Sequence, residues 1–405
     1  MKTPTFLLKP SAYKTNKLYA IIPSDGTGDG TQSGYVGNGT RVRSDGIIAP
    51  VATGISRIDY LEGASLLLEP SRKNFIRLSI GLTVSNTTLT SSATVDPLGN
   101  KDAWKIDDNS STLAGYAYHN SEALDNITAT HCASAFVKFG NTETISIGLY
   151  GAGGAGDIVV DLDRDGNATI AQETTYQIIG TPEQLAVEKY INGWFRVGFS
   201  YNHSVDANAH IRIYPAGLTD VSQRGFCYAS YAQLEEGYGM TSLIPSNLTV
   251  LTRTADVVSW TTTISVLEFL DYTRGAIVMD IGVAKFAAWG SGSKALTIGS
   301  GSGSLEISKG GSNTLITAQA TDGVTFMTQN IGSESVAGKH KILFNIKDTD
   351  VDLWVDGVKV QSFGDDFVIA GDTITINGTQ MQVRIYEMAT WNTTLTDTEA
   401  QAITS

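Results

Sequence analysis

The chain has little charge and little sulfur. Only 17% of its 405 residues are charged, and it holds two cysteines, Cys132 and Cys227. So few cysteines exclude a disulfide-stapled fold. The two lie far apart in alternating apolar stretches and read as buried free thiols, with a single disulfide as the alternative. Positive charge is also scarce. Lys and Arg number 28 against 41 Asp and Glu, and the formal net charge of −13 argues against nucleic acid as a partner. Nowhere do eighteen apolar residues run together, so no membrane insertion is expected. The opening "MKTPTFLLKPSAYK" lacks the apolar stretch of an export signal. What is abundant is Gly, at 42 residues, together with Ser and Thr. With a hydrophobic fraction of 41% and few long helix formers, this composition predicts an all-β protein with genuine cores, short strands and many turns. The length exceeds what one core absorbs and predicts two or three domains.

Patterning divides the chain into three. Residues 1–74 hold few periodic runs and many turn pairs, as in "PSDGTGDGTQSGYVGNGT", and end on "LLLEPSRKN". So little apolar patterning predicts packing against a neighbouring domain or chain. In "LLLEPSRKN", Leu66 to Leu68 read as a final strand that Pro70 ends, and the elbow reads either as a contact between Glu69 and Arg72 or as a solvated linker. Residues 75–250 carry repeated strands such as "CASAFVKF", "ETISIGLYG", "GWFRVGFSYN" and "NAHIRIYPAG", which suggests a β-sandwich of jelly-roll type. Residues 251–405 repeat the theme in a second sandwich. There Asp356-Gly357 is the clearest two-residue hairpin turn, and "TDTEAQAI" near Leu395 to Ile403 offers a helix with a Thr cap and Glu three residues on.

Candidate chemistry is sparse. "DLDRDGN" places Asp161, Asp163 and Asp165 at alternate positions before a Gly, as the opening of a calcium loop does. Position twelve is Gln172 rather than Glu and the flanks read as strands, so a hairpin turn is the preferred reading and calcium the alternative. No other cofactor is expected. "GAGGAGD", Gly151 to Asp157, has neither a following helix nor a Lys-Ser/Thr pair and reads as a loop, not a phosphate cradle. Histidines 119, 131, 203, 210 and 340 lack metal-ligand spacing, and no G-x-S-x-G elbow appears. The paired carboxylates Glu235-Glu236 and Asp350-Asp352 read as solvent-facing or turn-flanking, and no enzyme is expected. Sugar stacking on aromatic faces is harder to set aside. Trp289 lies beside a Gly/Ser-rich turn, and Tyr116, Tyr118, Tyr228 and Tyr231 stand on strands with one open face each; they are the candidate glycan-binding residues.

The N-terminal residues resemble a class of phage virion proteins. The marks are Pro23, Asp25, Gly26, Gly28 and Asp29 in a turn, Thr40, Arg41, Val42, Gly46 and Ile48, then Arg57, Asp59 and Tyr60, and Leu66 through Asn74 as "LLLEP-x-R-x-N". Lys73 stands where that pattern usually has Thr. The middle block is similar to carbohydrate-binding-module-like jelly rolls through "GWFRV", "AQLEEG", "TSLIPS" and "TRTAD". The last resembles concanavalin A-like, laminin-G-type sandwiches through "LWVDGVKV" and "WNTTLTDTEAQAI". The resemblance implies a virion structural protein, a fibre, spike or decoration on head or tail, assembled in the bacterial host cytoplasm. Its N-terminal segment would attach to other virion proteins, self-assemble as a homotrimer, and display sandwiches that contact host-surface glycan. Arg57, Asp59, Glu69, Arg72 and Asn74 would be its assembly and junction residues, Glu235 a structural hydrogen-bonding group at a strand end, and Trp194, Trp354 and Trp391 core residues. The alternatives are a virion spacer or capsid stabiliser without glycan binding, a polysaccharide depolymerase, and a secreted bacterial adhesin.

Overall fold

The computed structural model describes residues 2–10, 13–14, 17–33, 37–77, 81–110, 112–151, 157–173, 185–202, 208–218, 224–237, 239–260, 270–271, 273–283, 294–300, 303–309, 315–321, 326–333, 338–348, 350–364, 369–370, 373–377 and 382–405. The chain is all-β: beside its strands, the described residues form one 3-10 turn at Ile191–Gly193 and one α-helix at Asp397–Thr404. None of these residues forms a helix long and apolar enough to cross a membrane. The chain divides into two compact units, one built from Met1–Gly37, Val51–Ser71 and Thr254–Ser405, the other from Asn38–Pro50 and Arg72–Arg253.

The first unit is a sandwich of an eight-stranded and a nine-stranded antiparallel sheet. Period-two patterning turns Ile277, Met279 and Ile281 and their neighbours Ile342, Phe344 and Ile346 inward from the first sheet. Leu296, Ile298, Leu305, Ile307, Ile374 and Ile376 face them from the second. Leu8, Leu18, Ile58, Leu66 and Leu68 complete this core, although they come from the first seventy residues. Their strands are only two to four residues long and bury little by themselves, so they add to sheets made elsewhere in the chain. Ser65–Leu68, for example, lies antiparallel to Val383–Trp391, with Leu66 opposite Ile385 and Leu68 opposite Val383. Residues 1–74 are therefore shared between the two units rather than forming a body of their own. Asp356 and Gly357, with φ of 50° and 81°, make the expected tight turn between Asp350–Val355 and Val358–Phe363. The helix is closed at its start by the expected capping box of Thr396 and Glu399. Trp354 and Trp391 are buried with Leu395 and Ala400.

The second unit packs two six-stranded antiparallel sheets face to face, and the chain crosses repeatedly between them as in a jelly roll. Ile145, Ile147, Leu149, Ile158, Val160, Leu162, Ile211 and Ile213 from one sheet meet Ala133, Ala135, Val137, Val197, Phe199, Ala229 and Leu234 from the other. Cys132 and Cys227 are buried, unbonded to one another, and raised in pKa by that burial. Trp194 is buried and donates its indole N–H to the carbonyl of Val95 at 3.0 Å.

Candidate binding site

The motif residues at the elbow are interior groups. Arg57, Glu69 and Asp256 are fully buried, and the Arg57 guanidinium forms ion pairs with both carboxylates. The Glu69 amide donates to Asp256 Oδ2 at 2.9 Å, and the Asp256 amide to the Glu69 carbonyl at 3.0 Å. Asp59 is buried and paired with Arg384. Arg72 Nε lies 3.8 Å from Glu235. Glu235 also accepts from the Thr241 amide and hydroxyl, both at 2.7 Å, and from Gln233 at 2.9 Å. Asn74 donates to the Ile244 carbonyl at 2.9 Å and accepts from the amides of Ile76 and Leu234. "LLLEP-x-R-x-N", "AQLEEG", "TSLIPS" and "TRTAD" thus meet in two buried polar networks, one in each unit. The turn motif around Asp25 is likewise local, with its carboxylate accepting from the Thr27 amide and hydroxyl.

Other candidates disperse. Asp163 caps a hairpin turn by accepting from the Asn167 amide and side chain, both at 2.8 Å, and Asp165 is exposed in that turn. Asp161 is held by the Ser146 hydroxyl. No group of three potential metal ligands occurs among the described residues. Glu235 is buried, and Asp352, read from sequence as solvent-facing or turn-flanking, is buried too and gripped by Lys347, Lys359 and Ser362. Trp289 lies outside the described residues, as do five of the seven residues of "GAGGAGD". Tyr228 is half-buried and Tyr231 buried in the other six-stranded sheet, with a register irregularity between them.

Tyr116 and Tyr118 do find company. They stand on Tyr116–Ala123, which pairs with Asn208–Tyr214, itself paired with Thr144–Gly151. Alternation sends Ala117, Ile211, Ile213, Ile147 and Leu149 to the core. The opposite face therefore carries Tyr116, Tyr118, His210, Arg212, Tyr214 and Tyr150. Tyr116, Tyr118, His210 and Arg212 are half-buried, while Tyr150 and Tyr214 are buried beneath. The Arg212 guanidinium carbon sits 3.8 Å from the centre of the Tyr150 ring and 4.6 Å from that of Tyr116. The His210 ring stacks on Tyr150 at 5.7 Å and meets Tyr118 edge-on at 5.7 Å. Tyr214 donates its hydroxyl to that of Tyr150 at 2.8 Å. Gly148, opposite Arg212 in register, makes room: a Cβ there would lie 2.3 Å from the Tyr150 ring. Thr83 and Ser85, on the neighbouring edge strand opposite Tyr118 and Tyr116, add hydroxyls on the same side.

Electrostatics fix the protonation of this face. Arg212 Nε donates to His210 Nε2 at 2.9 Å, so the imidazole is neutral with its proton on Nδ1. Burial, then the adjacent Arg212 charge, pulls the His210 pKa down to about 4. Burial opposes the Arg212 charge too, but its hydrogen bond to Tyr214 and contacts with the other tyrosines outweigh that and raise its pKa. Burial raises the Tyr214 phenol. The face offers flat π surfaces, a fixed cation and hydroxyls, a set able to stack a ring and hydrogen-bond its substituents. Sequence reading found the two tyrosines but missed His210, Arg212, Tyr150 and Tyr214. The available signal was "NAHIRIY", where His, Arg and Tyr occupy every second position.

No protein-family model and no curated protein matches the chain. Among solved structures it is similar to the binding domain of Paraclostridial Mosquitocidal Protein 1, at 13% identity over 36% of this chain and 39% of that one, with a TM-score of 0.29. It is similar to the CBM40 of a Ruminococcus gnavus IT-sialidase, at 12% identity over 33% and 84%, TM-score 0.27. A Trypanosoma rangeli sialidase in complex with sialic acid matches at 10% identity over 78% and 61%, TM-score 0.28. The chain thus spans well under half of the first of these proteins. At TM-scores this low, none of them assigns a function to it.

Proposed function

We propose that this protein is a carbohydrate-binding component of a phage virion, acting by adhesion rather than catalysis. One observation carries the binding half: the half-exposed array of Tyr116, Tyr118, His210 and Arg212, with the hydroxyl-bearing Thr83 and Ser85 alongside. Such a surface stacks on the apolar face of a sugar ring while its polar neighbours fix hydroxyls. The virion half, with homotrimeric assembly, rests on the resemblance of residues Pro23 through Asn74 to phage virion proteins. Because Arg57, Asp59, Glu69 and Asn74 are interior, attachment to other virion proteins falls to exposed residues of the same segment, not to these four. The binding half is tested on a glycan array with wild-type protein and a Tyr116→Ala/Tyr118→Ala variant whose melting is checked first. Retention of glycan signals by wild type, and their loss in the folded variant, is expected. The virion half is tested by labelling intact particles with antibody and by adsorption of particles lacking the protein. If wild type binds no glycan and those particles adsorb normally, the spacer or capsid-stabilising reading takes its place.

A further inference from the structure

We infer that the ligand of this face is an acidic saccharide whose carboxylate pairs with Arg212; the inference rests on the carbohydrate-binding reading above. The first argument is the state of the arginine. Among the described residues three buried arginines sit near carboxylates: Arg57 with Glu69 and Asp256, Arg384 with Asp59, and Arg196 within 4.0 Å of Glu188. Arg212 takes part in no ion pair among them. It lies instead between the rings of Tyr150 and Tyr116, which stabilise a cation without neutralising it. The second argument is donor count. A guanidinium has five N–H donors in a planar fork. His210 takes the Nε donor and Tyr214 another. A carboxylate is the acceptor that such a fork engages through two parallel bonds, and a hydroxyl can use only one.

The third argument is charge. The protein carries a formal net charge of −13, yet this half-open face centres on a cation. Asp161, on the same sheet beside Ser146, is occupied by the Ser146 hydroxyl, which in turn accepts from the Leu218 amide. His210 adds no negative charge and, by accepting from Nε, fixes the guanidinium's orientation. The tyrosine rings supply stacking for the pyranose to which the carboxylate is attached. An anion without a ring would gain the ion pair and lose that stacking.

The test is calorimetric titration of the intact protein with oligogalacturonate and oligoglucuronate, each beside its methyl ester and a neutral oligosaccharide of the same length. At pH 7 and low salt, at least one acid is expected to bind about 10- to 100-fold tighter than its ester, a preference that shrinks as salt is added. Arg212→Gln should abolish the acid's advantage over its ester, and Arg212→Lys should restore part of it. The wild-type comparison needs no variant, so misfolding of Arg212→Gln would not blunt it. Equal binding of acid and ester, or binding of neutral saccharides alone, overturns the inference and leaves the carbohydrate-binding reading intact. If no saccharide of any kind binds, the reading itself fails and the inference falls with it.

Discussion

Replacing Arg57 should destabilise the first unit more than any single substitution among its motif residues. The side chains of Arg57, Glu69 and Asp256 are almost wholly removed from solvent, at 0%, 0% and 1% exposure. Burial by itself would pull the Arg57 pKa down, but Asp256 and then Glu69 reverse the effect and push it well above its ordinary value. Two carboxylates share one guanidinium, so deleting the cation strands two negative charges where water cannot reach them. Breaking a buried pair in this way costs about 3–5 kcal/mol, and the doubled carboxylate places Arg57→Met at or above the upper end. For a body of roughly 150–250 residues that upper end corresponds to a fall in Tm of about 10–20 °C. Glu69→Gln keeps the shape and one acceptor and removes the surplus negative charge, so its cost should be smaller, about 1–2 kcal/mol. Urea and thermal unfolding, followed by the fluorescence of the buried Trp354 and Trp391 of the same unit, would read both variants. Arg57→Met unfolding within about 1 kcal/mol of wild type would refute this account. So would a Glu69→Gln variant less stable than Arg57→Met.

Three further outcomes are expected. Asn74→Ala removes a buried side chain that serves the Ile244 carbonyl and the Ile76 and Leu234 amides, and should cost the second unit about 2–4 kcal/mol in denaturant unfolding. Gly148→Ala places a methyl 2.3 Å from the Tyr150 ring; the ring must leave Arg212, and saccharide affinity should drop at least tenfold on titration, at a stability cost of about 1–3 kcal/mol. His210 should titrate near pH 4 by NMR rather than near 6.5. Its folded pKa lies below its unfolded one, so the unfolded chain binds more protons between those values. The stability from neutral His210 is full above pH 6.5 and lost as pH falls toward about 4. Discounted for its partial exposure, it is on the order of 1–2 kcal/mol, and His210→Gln should flatten that slope.

Fold class, the tight turn at Asp356-Gly357 and the Thr396 cap were legible in the sequence because each depends on neighbours within a few residues. The organisation of residues 1–74 was not, because its determinants are distant. Leu66 and Leu68 look like the end of a local strand, yet their partners are Ile385 and Val383. Glu69 pairs with Arg57, twelve positions away, and its amide with Asp256, while Arg72 lies near Glu235, more than a hundred and sixty positions on. A period of two shows which residues share a face of one strand; it does not show which strands are neighbours. The same limit governs the site. Tyr116 and Tyr118 announce themselves as alternating aromatics, and "NAHIRIY" announces a polar face, but only the register that sets Arg212 between Tyr118 and Gly148 joins them. The motifs that carry the virion resemblance and the residues that offer a binding surface are therefore different residues with different tasks. Arg57, Glu69, Asn74, Glu235 and Asp256 hold the two units in shape. Substituting them should alter binding only through unfolding. Substituting Tyr118 or Arg212, which face solvent in part, should alter binding while the melting curve stays put, and that dissociation separates scaffold from site.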